Sequence, residues 1–150
     1  MTNKIYNSES SPNISGRKLK SSKLFDKAYL NGTNIISGDK IIKARYFLLD
    51  QIIKPRMQFA ITVSSKAGGA VWRNRIRRII YESVRTELNS FYEMISSTKF
   101  SMLVIFSPNK LNQQNNNHID FNDVKLSILD IQKKLKNVLI TSNKFKPTNI

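Results

Sequence analysis

The feature that most restricts this chain is a change of period at Ala67-Gly68-Gly69. Before it, residues 57–64 alternate: Met57, Phe59, Ile61 and Val63 face one way, and Gln58, Ala60, Thr62 and Ser64 the other. That two-residue period belongs to a strand with one face buried. After it, Trp72, Ile76, Ile79, Ile80 and Val84 recur at helical spacing, which predicts a helix from Ala70 to about Tyr92. A strand that passes through a glycine break into an amphipathic helix points to a sheet with helices packed on it.

The flanking segments extend this pattern. Residues 21–31 read as a short helix, with Ser21 or Ser22 to cap its start and Gly32 free to take the left-handed conformation past its end. Phe25 and Tyr29 are four apart and share a face of it. Residues 40–50 alternate, with Ile42, Ala44, Tyr46 and Leu48 on one face and Lys43, Arg45 and Phe47 on the other. Lys54-Pro55-Arg56 is a turn. In the resulting hairpin one face suits a core, and the other is small, polar and basic, as a ligand floor would be. Residues 99–106 carry a nearly continuous apolar run, expected of a strand covered on both faces and ended by Pro108. The Asn-rich stretch 111–117 reads as a loop. Asp120 or Asn122 caps a last helix with the stripe Phe121, Val124, Ile128, Ile131, Leu135 and Val138. Lys133, Lys134 and Lys136 form its basic end. The 150 residues suit one small α+β domain over 19–140, between a polar tail (1–18) and a frayed C-terminus (141–150).

Charge narrows the function. There are 25 Lys+Arg against 10 Asp+Glu, a net charge of +15. Such an excess destabilises a compact fold by self-repulsion unless a polyanion neutralises it, and nucleic acid is the commonest such partner. The chain has no cysteine, hence no disulfide or thiolate chemistry. Its first residues lack the apolar core of a secretory signal, and its apolar runs, such as Met102 to Phe106, are too short to span a membrane. A cytoplasmic protein is expected.

Five of the eight arginines fall between Ala70 and Arg85. With Arg73 at zero and about 100° per residue, the apolar residues occupy one half of the wheel. Asn74, Arg75, Arg77, Arg78, Tyr81, Glu82 and Arg85 occupy the other. A merely solvated face would carry acids three or four residues from its arginines. Glu82 alone does so, against Arg78 and Arg85. The planar guanidinium binds phosphate bidentately and stacks on bases, so this face suits RNA. The preceding Gly68-Gly69 lets backbone approach a partner, and the helix N-terminus attracts an anion.

The stretch Val63-Ser64-Ser65-Lys66-Ala67-Gly68-Gly69-Ala70-Val71-Trp72-Arg73-Asn74-Arg75-Ile76-Arg77-Arg78 resembles the signature of the bacterial ribonuclease P protein component. There a strand ending V-S-K-K leads through a glycine turn into a helix bearing A-V-x-R-N-R-I-K-R. Residues 24–32 are similar to that family's first helix, and the resemblance spans roughly 18–138. Ser65, Tyr81 and Gln58 stand where the family commonly has basic residues.

The resemblance implies an α-β-β-β-α-β-α fold with a four-stranded sheet and a left-handed β-α-β crossover of the kind seen in a ribosomal-protein domain. It places a first strand near Thr33–Ile36. It implies the protein subunit of a ribonucleoprotein endonuclease whose RNA subunit, with Mg2+ held mainly on RNA, removes the 5′ leader of precursor tRNA. The protein alone would be inactive and would carry no catalytic residue and no metal. Its partners would be the RNA subunit and precursor tRNA, with no membrane and no small-molecule substrate. Carried over, Lys66, Arg73, Asn74, Arg75, Arg77 and Arg78 would face the RNA subunit. Phe25, Tyr29, Lys43, Arg45 and Phe47 would hold the leader. A ribosomal RNA-binding protein shares the arginine helix but needs no aromatic cleft. A metal-dependent protein nuclease would cluster carboxylates; here they are scattered, and His118 sits alone in a polar loop. The strands flanking the basic helix argue against a helix-turn-helix repressor.

Overall fold

The structure, a computed structural model, describes residues 16–18, 22–53, 56–115 and 119–145. Ser21, the Lys54-Pro55 half of the expected turn, His118 and both termini lie outside the described residues. In chain order the elements are β1 (Gly16–Lys18), α1 (Ser22–Asn31), β2 (Thr33–Ile36), β3 (Ile42–Leu49), β4 (Met57–Ile61), α2 (Ala70–Thr86), α3 (Leu88–Ser96), β5 (Ser101–Pro108) and α4 (Phe121–Phe145). Among the described residues, no helix is long and apolar enough to cross a membrane.

The strands form one sheet in the order β1-β4-β5-β3-β2. β3 pairs antiparallel with β2 and β5, while β4 and β5 run parallel, joined by the α2–α3 crossover. The four strands β2–β5 are the expected set, Thr33–Ile36 included. The expected tail over 1–18 ends sooner: Gly16–Lys18 pair in parallel with Met57–Phe59. Without β1 the outer side of β4 would be an edge of unpaired N–H and C=O groups.

The alternation read from the sequence decides what each sheet face buries. Ile42 and Ala44 of β3, Met57 and Phe59 of β4, and Met102, Val104 and Phe106 of β5 join the core under α2, α3 and α4. The opposite residues, Leu49, Ala60, Leu103 and Ile105, pack with Ala28 of α1 in a smaller cluster. β5 is therefore covered on both faces, as its apolar run predicts. α1 is too short to cover the whole second face, and the uncovered part becomes the site described below.

Several expectations are corrected. The single helix over Ala70–Tyr92 is two helices meeting at Glu87, which has φ −107° and ψ 10°. Its N–H reaches Val84 O (3.0 Å), a bond one residue tighter than the α-helical pattern. The hydroxyls of Ser83 and Thr86 bond back to Ile79 O and Ser83 O. Such side chains compete for carbonyls near a helix end. Tyr81, placed by the wheel among the arginines, is buried and stacks on Phe59 at 6.0 Å. A phenol has enough reach to join the core from beyond the apolar arc, where an arginine would have to desolvate a charge. Gly32 is not left-handed. It is glycine because a Cβ there would collide with Ala28 O, Tyr46 O and Arg45 Cγ. α4 continues past Thr141 to Phe145, and Leu139, absent from the expected stripe, is buried.

Polar contacts tie the connections down. Asp120 Oδ1 accepts from Asp123 N, and Asp123 Oδ2 accepts from Asp120 N, a reciprocal cap on α4. Asp39 Oδ2 accepts from Ser127 of α4 (2.6 Å), and Lys134 Nζ donates to Ile36 O (2.7 Å), so α4 pins the β2–β3 turn. Arg56 closes the opposite end. Its Nη2 donates to Ile95 O, Thr98 O and Phe100 O at 2.7–3.0 Å, at the C-terminus of α3.

Candidate nucleic-acid interface

α2 meets the core through Trp72, Ile76, Ile80, Tyr81, Ser83 and Val84, and this anchoring fixes what the arginines can do. Arg78 and Asn74 are exposed. Asn74 Oδ1 accepts from Arg77 Nη1 at 2.8 Å, one turn along the same face. Arg85 pairs with Glu82 at 2.8 Å, which occupies the one acid on that face. Arg73 and Arg75 are different. Arg73, at the origin of the wheel, lies inside the apolar arc; it is half-buried and its Nε donates to Gly68 O (3.0 Å). Arg75 Nη2 donates to Ile119 O (2.7 Å), and its Nη1 is buried with no hydrogen-bond partner among the described residues. These two guanidinium groups brace the loops at either side of the helix start. The buried Arg75 Nη1 is not among the donors that they could offer a ligand.

Gly68 serves the protein's own packing. A Cβ on Gly68 would meet Trp72 Cε3 at 2.7 Å and Gln113 Cβ at 2.9 Å. Gly69 N donates to Gln113 Oε1 (2.9 Å), and Gln113 N donates to Ala67 O (2.8 Å). The N-terminus of α2, expected to be open to an anion, is thus capped in part by a side chain from the Asn-rich loop. Gln113 could not be found from the sequence, because a low-complexity loop gives no sign of which of its amides will be used.

On the face that α1 leaves open lies a cleft of ≈ 600 Å³. Tyr29, Lys43, Arg45, Lys66 and Lys110 line it, and among the described residues no carboxylate does. Three of the expected leader residues are therefore brought together there: Tyr29, Lys43 and Arg45. Lys66, expected to face the RNA subunit, joins them. Tyr29 is 59% exposed and its ring stacks on Phe25 at 6.1 Å and 10°. Phe25 and Phe47 do not line the cleft. Both are half-buried in the cluster that seats α1. Arg45 is held in place: Nε donates to Tyr29 O (2.6 Å) in the last turn of α1, and Nη1 donates to Asn34 Oδ1 (3.0 Å). A cation at a helix C-terminus is favoured by the helix dipole.

The arrangement offers phosphate oxygens a row of cations and offers a base one exposed aromatic face. Single-stranded nucleic acid presents both. Among the described residues, no group of three or more His, Cys, Asp or Glu side chains could hold a metal ion.

Comparison with known proteins gives the family. The family model described as Ribonuclease P matches residues 15–137. A ribonuclease P protein component of Bacillus velezensis is 31% identical over 70 residues, 47% of this chain and 57% of that one. This chain is thus matched to little more than half the length of that relative. The fold is similar to the RNase P protein of Staphylococcus aureus, with TM-score 0.52 and 20% identity over 81% of this chain and 96% of that one. It is similar also to the RNase P protein of Thermotoga maritima, with TM-score 0.57 and 18% identity over 79% and 96%. At that identity the likeness speaks for the fold alone, but the family model covers most of the chain, and the chain belongs to the ribonuclease P protein family.

Proposed function

We propose that this chain is the protein subunit of a ribonuclease P ribonucleoprotein. It binds the catalytic RNA and the 5′ leader of precursor tRNA, and so aids endonucleolytic removal of the leader. The RNA subunit performs the hydrolysis, with Mg2+ held mainly on RNA, and the protein positions the substrate. The cytoplasm is the place of action. The observation that carries this reading is the pairing of two unlike cationic surfaces, the arginine face of α2 and the acid-free cleft beside Tyr29.

The two surfaces suit different RNA. A folded RNA subunit presents dense phosphate, which favours Arg73, Arg75, Arg77 and Arg78 with Asn74 among them. A single-stranded leader presents base faces as well, and aromatic stacking accepts any base. Tyr29 supplies that stack, with the Phe25 ring against it, and Lys43, Arg45 and Lys66 supply the charge. The reading is tested by reconstitution with the RNA subunit. The holoenzyme at low magnesium should mature precursor tRNA faster than RNA alone and bind it more tightly than mature tRNA. Equal affinity for the two would eliminate the leader role. Cleavage by the protein after rigorous RNA removal would move the active site onto the protein.

A further inference from the structure

We infer that Gln113 is a positioning residue for the RNA-docking face: from the β5–α4 connection it clasps the glycine turn, and so sets where the Arg73 guanidinium points. This rests on the reading above that α2 meets the RNA subunit. The need for a clasp follows from the sequence. Two glycines in a row, Gly68 and Gly69, stand immediately before the arginine helix. Glycine has more backbone freedom than any other residue, so this step is where the start of α2 is most free to shift against the strand that leads into it. Gly69, at the N-cap, carries no side chain with which to cap the helix. The restraint has to come from another segment.

Gln113 bonds across the step on both sides. Its backbone N donates to Ala67 O (2.8 Å), and its Oε1 accepts from Gly69 N (2.9 Å). Between these two bonds it packs where a Gly68 side chain would be: a Cβ there would lie 2.9 Å from both Gln113 Cβ and Gln113 Oε1. Gly68 O, the carbonyl held in this way, accepts from Arg73 Nε (3.0 Å), and Gly69 O accepts from Arg73 N (2.9 Å). Arg73 therefore takes its direction from a turn that Gln113 keeps in place. A guanidinium is planar, so the carbonyl that holds Nε also orients the Nη donors. Gln113 is itself held. Leu111 before it is buried, and Asn112 and Asn115 exchange backbone-to-side-chain bonds at 3.2 and 3.0 Å around it. The Gln113 side chain is exposed, so its acceptor can be removed without opening the core.

The experiment measures affinity of the full chain for the RNA subunit across a salt series, well below the melting point. It compares wild type, Gln113→Met, Arg73→Ala, the double variant and Arg78→Ala, with Tm and hydrogen exchange at the Gly69 amide recorded alongside. Methionine keeps the length of the side chain and removes the acceptor. Gln113→Met should speed exchange at Gly69 and lower Tm by about 2–5 °C, the scale of one lost helix cap. It should weaken assembly about three- to tenfold, part of what one charge-assisted contact contributes. Its salt slope should match wild type, because no cation is lost, whereas Arg73→Ala should lower the slope by about 0.9. In the Arg73→Ala background Gln113→Met should cost less than about twofold, since the two act through one guanidinium. A glutamine that only stabilises the fold would lower Tm and leave the affinity of the folded chain unchanged, and that result would overturn the inference. So would unchanged exchange at Gly69, or the same fold-loss with and without Arg73. If Arg78→Ala weakens assembly and Gln113→Met does not, the docking reading stands and the positioning role alone is wrong. If neither variant weakens assembly, the docking reading fails with it.

Discussion

Arg56 allows the sharpest test of how this chain divides its positive charge between structure and RNA. Its Nη2 has two N–H groups shared among Ile95 O (3.0 Å), Thr98 O (2.7 Å) and Phe100 O (2.9 Å), and Nη1 lies 3.4 Å from Ser96 O. Two full charge-assisted bonds contribute roughly 3–6 kcal/mol. Holding a partly buried guanidinium out of water offsets part of that, leaving about 2–4 kcal/mol. Arg56→Met keeps the length and the apolar stem but removes the donors. It should lower the Tm of the full chain by about 5–15 °C at this size, with the urea midpoint falling and the slope m unchanged. Arg56→Lys should recover part of the loss, since an ammonium keeps the charge but not the fork that reaches several carbonyls at once. The sign discriminates. At net charge +15, deleting a cation with no local partners relieves repulsion and leaves stability equal or higher. A Tm unchanged or raised in Arg56→Met would show that the carbonyl cluster contributes nothing. Below its melting point the variant should bind the RNA subunit as tightly as wild type.

Three further outcomes are expected. Arg78→Ala, which removes an exposed arginine, should weaken assembly with the RNA subunit by ~1–3 kcal/mol at unchanged Tm; Arg73→Ala with Arg75→Ala should lose assembly and Tm together, read by filter binding and thermal melts. Tyr29→Ala should spare assembly and cost ~1–3 kcal/mol of precursor binding, the value of one base stack, and an equal cost on mature tRNA would indicate a packing defect. Burial raises the Asp39 pKa, but bonds from Ser127, Ser37 and Ile41 N outweigh it and hold the carboxyl below its ordinary 3.8. A depressed pKa contributes stability that is present above the unfolded value and lost as pH falls through the folded one. Asp39→Asn should therefore be less stable than wild type near neutrality, with the gap closing below pH 3.8.

What the sequence disclosed follows from which forces are periodic. Burial repeats at two residues along β3 and β4 and at three to four along α2 and α4, so Ile42, Ala44, Phe59, Ile76 and Ile128 could be placed before any coordinates. β5 was legible because its stretch Met102 to Phe106, buried on both faces, has no polar member. Contacts between distant segments leave no period. The engagement of Arg56 with the end of α3, of Gln113 with the glycine turn, and of Gly16–Lys18 with the edge of β4 joins residues about 40 or more apart, and each partner is ordinary in its own neighbourhood. Gly32 shows the limit in miniature. That position had to be glycine, but the reason is the approach of Tyr46 O from another strand and not a local dihedral angle.

The same distinction explains why the α2 face is built from arginine and not lysine. Arg73 and Arg75 each donate to a carbonyl of the protein, at Gly68 and Ile119, while sitting on the helix proposed to meet RNA. Arg45 does so at Tyr29 and Asn34 on the wall of the cleft. A guanidinium has five N–H groups in a rigid plane, so bonding one edge to the fold fixes the direction of the other. An ammonium has one centre, and a carbonyl that held it would largely satisfy it. Bracing by arginine therefore sets out oriented donors before RNA arrives, and the entropy of ordering those side chains is met at folding and not at binding. The lysines Lys66 and Lys110 differ: they are exposed on the cleft, and their ammonium groups are free to follow the path of whatever strand is proposed to bind there. Fixed guanidinium groups suit a partner of one shape, and flexible ammonium groups suit a substrate of many.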